Sequence, residues 1–216
     1  MRNHVSTKTL ILAAACALGL SSAALAAEDA APVSAPVVTI GRGLLGESYS
    51  AMSYRYIDLH GTSADAHAFD FTLNQNVSEG FDVLLDYTYK NSEALAGGHA
   101  NQRMFDLGVR AFTNTRGFKP YVEAGLGWQW AKAPLGYRAN SPAYFLGTGV
   151  EFQMARDLAL TPFVRYTDAT KHGIGHEVDC GIKANYWLGE HVGIMTSISR
   201  DNSRDMRYGL GLTFRY

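Results

Sequence analysis

The chain has 216 residues, 47% of them hydrophobic and 18% charged, with 22 Gly and a formal net charge of -1. That apolar content excludes a disordered chain, and the near-neutral balance excludes a basic nucleic-acid surface, so no nucleic-acid partner is expected. Residues 1–26 read as a secretory signal peptide. Arg2 and Lys8 stand ahead of the apolar run Leu10 to Leu20, which is too short to span a bilayer, and Ala24-Leu25-Ala26 offers a small-x-small cleavage site. Cys16 would suit a lipoprotein anchor, but Ala13 occupies the position where such sites carry Leu. After cleavage Cys180 is the remaining cysteine, so no internal disulfide can form and a small apolar filler is the expected role. No later stretch approaches the roughly 18 apolar residues of a membrane helix; a membrane-embedded chain would cross as strands.

Residues 27–48 form an N-terminal lead-in. Glu28 to Pro36 is Ala/Pro-rich and reads as a flexible segment. In Val37 to Tyr49, Gly41, Gly43 and Gly46 then match G-x-G-x-x-G, the fingerprint of a dinucleotide-binding turn. That turn needs a helix after its last glycine to receive a pyrophosphate. The segment after Gly46 is ESYSAMSYRYIDL, where Met52, Tyr54 and Tyr56 alternate as in a strand. The glycines are expected to make a tight entry into the first strand, and no cofactor is expected.

From Tyr49 onward the pattern has period two. Phe69, Phe71 and Leu73 oppose Asp70, Thr72 and Asn74; after Ser78-Glu79-Gly80, Phe81, Val83, Leu85, Tyr87 and Tyr89 oppose Asp82, Asp86 and Thr88. Phe105, Leu107 and Val109 oppose Asp106, Gly108 and Arg110, and Val122, Leu126, Trp128 and Trp130 oppose Glu123, Gly125, Gly127 and Gln129. The rhythm continues through Tyr144 to Phe152, Leu158 to Tyr166 (interrupted by Pro162), Val178 to Tyr186, Val192 to Ile198 and Met206 to Tyr216. With Tyr49 to Leu59, residues 49–216 make about ten strands of membrane-spanning length.

A soluble barrel would turn the apolar face inward, a membrane barrel outward. The polar face mixes charges of both signs with many glycines, as a crowded lumen requires. The apolar face gathers aromatics near strand ends, such as Tyr87 with Tyr89 and Trp128 with Trp130. Connections alternate between tight (Ser78 to Gly80, Ala155 to Asp157, Leu188 to Glu190) and longer (Asn91 to Ala100, Ala131 to Ser141). Together these favour the membrane barrel.

The C-terminal YGLGLTFRY, Tyr208 to Tyr216, resembles the terminal strand of bacterial outer-membrane β-barrels. With the signal peptide and the small size, the chain resembles the opacity-type and OmpA-like small barrel proteins. The resemblance implies an all-β, antiparallel, up-and-down transmembrane barrel in the bacterial outer membrane, with outer-membrane lipid around it. It also implies that Tyr208, Leu210, Leu212, Phe214 and Tyr216 form the signal read by the barrel-assembly machinery. Such barrels commonly have eight strands, so the count stands at ten with eight as the alternative.

On this reading the lumen receives Asp70, Asp82, Asp86, Asp106, Glu123, Glu151 and Asp179 against Arg55, Arg110, Arg165, Lys183, Arg207 and Arg215. Near-equal numbers of both signs suggest a bridged network that plugs the interior, with a narrow path for small solutes as the alternative. His60, His67, His99, His172 and His176 fall at or near the outer rim. His172 and His176 bracket Gly-Ile-Gly and are the only metal candidates, outweighed by ordinary solvated histidines. Asp168 shares that rim, but no nucleophile–base–orienter spacing is legible; Ser63 and Ser92 are plain loop residues, and no enzyme is expected. Three readings remain beside the structural or narrow-pore barrel. They are an adhesin acting through the loops around Gly97 to His99 and Pro134 to Asn140, a soluble periplasmic barrel with an apolar ligand, and an outer-membrane enzyme using Asp168, His172 and His176.

Overall fold

A computed structural model of the chain describes residues 43–62, 64–92, 99–115, 117–132, 138–170 and 176–216. The expected signal peptide, the expected lead-in as far as Arg42 (including Gly41), Ser63, Gly97 and Pro134 of the expected loops, and His172 lie outside the described residues. The described residues form ten strands: β1 (Tyr49–Asp58), β2 (Asp65–Ser78), β3 (Phe81–Ser92), β4 (Ala100–Phe112), β5 (Phe118–Lys132), β6 (Arg138–Ala155), β7 (Leu158–Ala169), β8 (Glu177–Trp187), β9 (Val192–Asp201) and β10 (Met206–Arg215).

Each strand pairs antiparallel with its sequence neighbour, and β1 closes on β10 through Tyr49↔Arg215 to Asp58↔Met206. The barrel is therefore up-and-down and has ten strands, not eight. Closure gives every strand a partner on both sides and leaves no edge to satisfy. The end holding Tyr49 and Arg215 is called the near end, the opposite one the far end.

The alternation read from the sequence falls on the two faces of this sheet. Outward point Met52, Phe69, Leu107, Leu126, Leu146, Ile182 and Leu210, all strongly exposed. Leu126 is 73% exposed while Asp82 and Asp106, on the inner face, are at most 1%. A chain in water would not hide its aspartates and present its leucines; hydrocarbon outside the wall reverses the usual cost.

The far-end connections are shorter than the sequence suggests. Asn91 and Ser92 pair with Asn101 and Ala100, and Arg138 to Ser141 pair with Lys132 to Gln129, so both hairpins extend as ladder into the stretches expected to be loop. At the near end the β2–β3 hairpin turns on Glu79-Gly80, where Gly80 sits at φ 82°, a conformation a side chain rarely adopts. Pro162 is tolerated because the β6–β7 ladder is interrupted beside it: pairing passes from Gly149↔Phe163 to Phe152↔Leu160, leaving no inter-strand bond that the proline would have to donate.

Candidate functional site: the charged lumen

Mid-lumen, the ladder places Asp86, Asp106 and Glu123 on the adjacent strands β3, β4 and β5, and Arg165 reaches across from β7. Its Nη1 lies 3.2 Å from Asp86 Oδ2 and 3.8 Å from Glu123 Oε1, and its Nη2 donates to Asp106 Oδ2 at 2.7 Å. Arg110 holds Glu123 Oε2 through both Nε (3.0 Å) and Nη2 (2.7 Å), and Thr72 donates to Asp86 at 2.7 Å. The Arg165 guanidinium lies 4.0 Å over the ring of Phe145, which is itself buried. Phe145 fits because Gly108 and Gly125 face it from β4 and β5; a Cβ on Gly125 would meet the Phe145 ring and the Leu107 carbonyl. Gly125→Val is expected to cost about 1–3 kcal/mol through overpacking, read as a smaller fraction of faster-migrating, unboiled barrel on a gel.

Two further ion-pair groups sit toward the far end. Arg55 forms a two-armed pair with Asp70 (Nε and Nη2, both 2.6 Å), and Thr88 donates to the same carboxylate. Arg207 gathers Glu177 (2.6 Å), Asp201 (2.7 Å) and Asp179 (3.5 Å). Lys183 has no carboxylate within 4.0 Å among the described residues; its Nζ lies 4.8 Å over the Phe163 ring.

Two of the remaining expected lumen charges are placed differently from a network of paired opposites. Asp82 and Glu151 hold backbone, not cations. Residues Leu44 to Glu47 fold into a turn at the near-end mouth (Glu47 N–H to Leu44 O, 3.3 Å), with Gly46 at φ 82°. Glu151 Oε2 accepts the Leu44 N–H at 2.7 Å and the Leu45 N–H at 3.3 Å, while Asp82 Oδ2 accepts the Gly46 N–H at 3.3 Å. Lys119 Nζ donates to Leu45 O at 2.8 Å. Leu45 packs on Phe112 and Tyr121 and is only 2% exposed. Across the mouth, Arg215 lies 4.1 Å over the Trp187 ring and pairs with Glu47 at 3.3 Å. Gly43 and Gly46 of the opening motif thus belong to an entry to the first strand that passes through the lumen. A Cβ on Gly43 would overlap the Glu151 carboxylate, and Gly46 supplies the left-handed residue of the turn.

Between this turn and the far-end ion pairs a cavity of about 230 Å³ remains, lined by Leu44 and Leu45 at one end and Glu177 and Arg207 toward the other. Four participants are absent from the lumen set expected from sequence. Glu177 and Asp201 continue the inward parity of β8 and β9 by one step beyond the apolar alternation, so parity extended that far would have found them. Lys119 likewise continues the inward parity of β5 through Tyr121, whereas Glu47 precedes β1 and belongs to the turn itself.

At the far-end rim, Asp168 accepts from Tyr166 (2.9 Å) and Tyr144 (3.2 Å), and the Tyr166 ring stacks on His176. His67 Nδ1 lies 2.5 Å from the Tyr54 hydroxyl. Among the described residues no group of three metal-binding side chains occurs.

No protein-family model and no curated protein matches the sequence. Solved structures do resemble the chain. The translocator domain of the autotransporter NalP from Neisseria meningitidis matches with a TM-score of 0.51 at 11% identity, covering 96% of this chain and 98% of that one. The COG4313 outer membrane channel from Pseudomonas putida F1 gives 0.51 at 8% identity, over 85% and 100%. Neisserial surface protein A (NspA) gives 0.47 at 15% identity, over 81% and 100%. At these identities the first two establish a shared fold.

Proposed function

We propose that this chain, which has the fold of outer-membrane β-barrels, is an outer-membrane protein with a structural role and a lumen closed to solutes at rest. The observation that carries the reading is the combination of an exposed apolar wall with an interior spanned by Arg165 and stoppered by Leu44–Glu47. Ionised side chains stay in the lumen because arginine or lysine at mid-depth against lipid would cost about 2–4 kcal/mol each. The near end, where the exported chain enters the barrel, faces the periplasm and the far end faces outward. The membrane reading is tested by fractionation. The mature protein should remain with the membranes after alkaline carbonate and run faster on a gel when unboiled. Recovery in the soluble periplasmic fraction without detergent would replace the reading with a soluble barrel.

The assembly machinery is the proposed partner of β10. Tyr208, Leu210, Leu212 and Phe214 point outward on that strand and the exposed Tyr216 follows its last residue, presenting an apolar ridge with an aromatic terminus. Phe214→Ser with Tyr216→Ser is expected to lower the amount of barrel assembled in cells while leaving refolding in detergent nearly unchanged. Equal losses in both settings would make the ridge a matter of stability alone.

A further inference from the structure

We propose that the outer wall of β4, β5 and β6 at the far end binds the phosphate groups of a phosphorylated lipid in the outer leaflet, through Arg103, Lys132 and Arg138 beside Trp130. The proposal rests on the membrane-barrel reading. The ladder pairs Arg103 with Trp130, Trp130 with Asn140 and Lys132 with Arg138, and all of these side chains lie on the outward face. Arg103, Lys132 and Arg138 are exposed.

Side chains directly opposite on neighbouring strands have Cβ atoms about 4.5–5.5 Å apart, so Lys132 and Arg138 are like charges in direct opposition. That arrangement is unfavourable unless an anion lies between or above them. Among the described residues no carboxylate comes within 4.0 Å of any of the three cations, whereas Arg55, Arg110, Arg165 and Arg207 inside the barrel are all paired. Arg103 is steadied by Tyr89, whose ring centroid lies 5.7 Å from its guanidinium carbon, which leaves its donor edge free.

Position selects the ligand. On the same two strands the next outward residues toward mid-wall are Trp128, Leu126, Phe105 and Leu107, all part of the exposed apolar belt. The cations therefore lie just beyond the hydrocarbon, at the depth where tryptophan settles among headgroups. The cluster of cations is local to this face. On β1 and β2 the outward pair at the same end is Asp58 opposite Asp65, on β7 it is Asp168, and on β9 a single cation, Arg200, stands outward. A phosphate offers several acceptor oxygens to cations converging from three strands, and acyl chains attached to it would run down over Leu126 and Leu107.

The test uses the full mature barrel refolded in detergent, with bound lipid counted by native mass spectrometry. The probes are a bis-phosphorylated, acylated glucosamine disaccharide, its dephosphorylated counterpart, and inorganic phosphate as competitor. The wild-type protein should retain the phosphorylated lipid, and R103Q/K132Q/R138Q should bind it at least about tenfold more weakly. The K132Q/R138Q double variant should show an intermediate loss and serves if the triple variant does not fold. Equal affinity in variant and wild type, or equal binding of the dephosphorylated lipid, would overturn the site. Displacement of the lipid by equimolar inorganic phosphate would overturn the lipid assignment. A variant that still runs faster unboiled has kept the barrel, so loss of binding is separable from failure of the membrane-barrel reading.

Discussion

Arg165→Ala should lower the barrel's stability by about 3 kcal/mol, the typical cost of removing one partner from a buried ion pair. The size reflects the carboxylates it strands. Asp86, Asp106 and Glu123 stand side by side on β3, β4 and β5, and without Arg165 Asp106 loses a 2.7 Å charge-assisted bond while Asp86 loses one of 3.2 Å. Glu123 keeps Arg110, so the loss concentrates on β3 and β4. A second variant separates charge from volume. Combining Arg165→Met with Asp86→Leu and Asp106→Leu removes the stranded carboxylates and should recover most of the lost stability. Thermal unfolding followed by the boiled-versus-unboiled gel shift measures both. If Arg165→Ala unfolds at the wild-type temperature, the brace carries no weight and the lumen is held by the ladder alone.

The second large effect concerns the stopper. Leu44 and Leu45 hang on Glu151 through their backbone amides, and Gly46 hangs on Asp82. Hydrogen bonds to charged groups contribute about 1.5–3 kcal/mol each, so Glu151→Ala with Asp82→Ala should shift the turn out of the mouth by about 3 kcal/mol or more. That corresponds to about a hundredfold in the equilibrium. A thiol at position 45 reports it. In a Cys180→Ala background, Leu45→Cys should react slowly with a membrane-impermeant maleimide, because Leu45 is 2% exposed against Phe112 and Tyr121. Adding the two carboxylate substitutions should speed labelling about a hundredfold. An unchanged rate would mean that apolar packing of Leu45 alone seats the turn.

Much of this molecule is legible in the sequence, because a two-residue period assigns each side chain a face without knowledge of its partner. Parity alone places Arg165 and Asp106 in the lumen, and Leu126 and Leu210 on the lipid side. What parity does not give is who meets whom. Asp82 and Glu151 point inward as expected, yet their partners are amides of the segment before β1, and Glu151 reaches Leu45 across 106 positions of sequence. A closed barrel makes such contacts from its curvature, which no local pattern records. The glycine motif misleads for the same reason: Gly43 and Gly46 are glycines because wall side chains crowd them and the turn is left-handed, not because a phosphate must approach. The far-end boundaries depart from the hydropathy pattern because Asn91, Ser92 and Arg138 to Ser141 are mostly polar. At the rim of a barrel the ladder continues past the apolar band, and hydropathy stops before the hydrogen bonds do.

The most direct test of a closed lumen is single-channel conductance of the refolded mature barrel in a planar bilayer, beside a variant lacking residues 43–48. The wild-type protein should insert without steady current, and the variant should give stable openings whose ion selectivity changes with Lys183→Gln, the mid-lumen cation with no carboxylate within 4.0 Å among the described residues. Steady wild-type openings of the same size as the variant's would contradict a closed lumen and make this barrel an open pore.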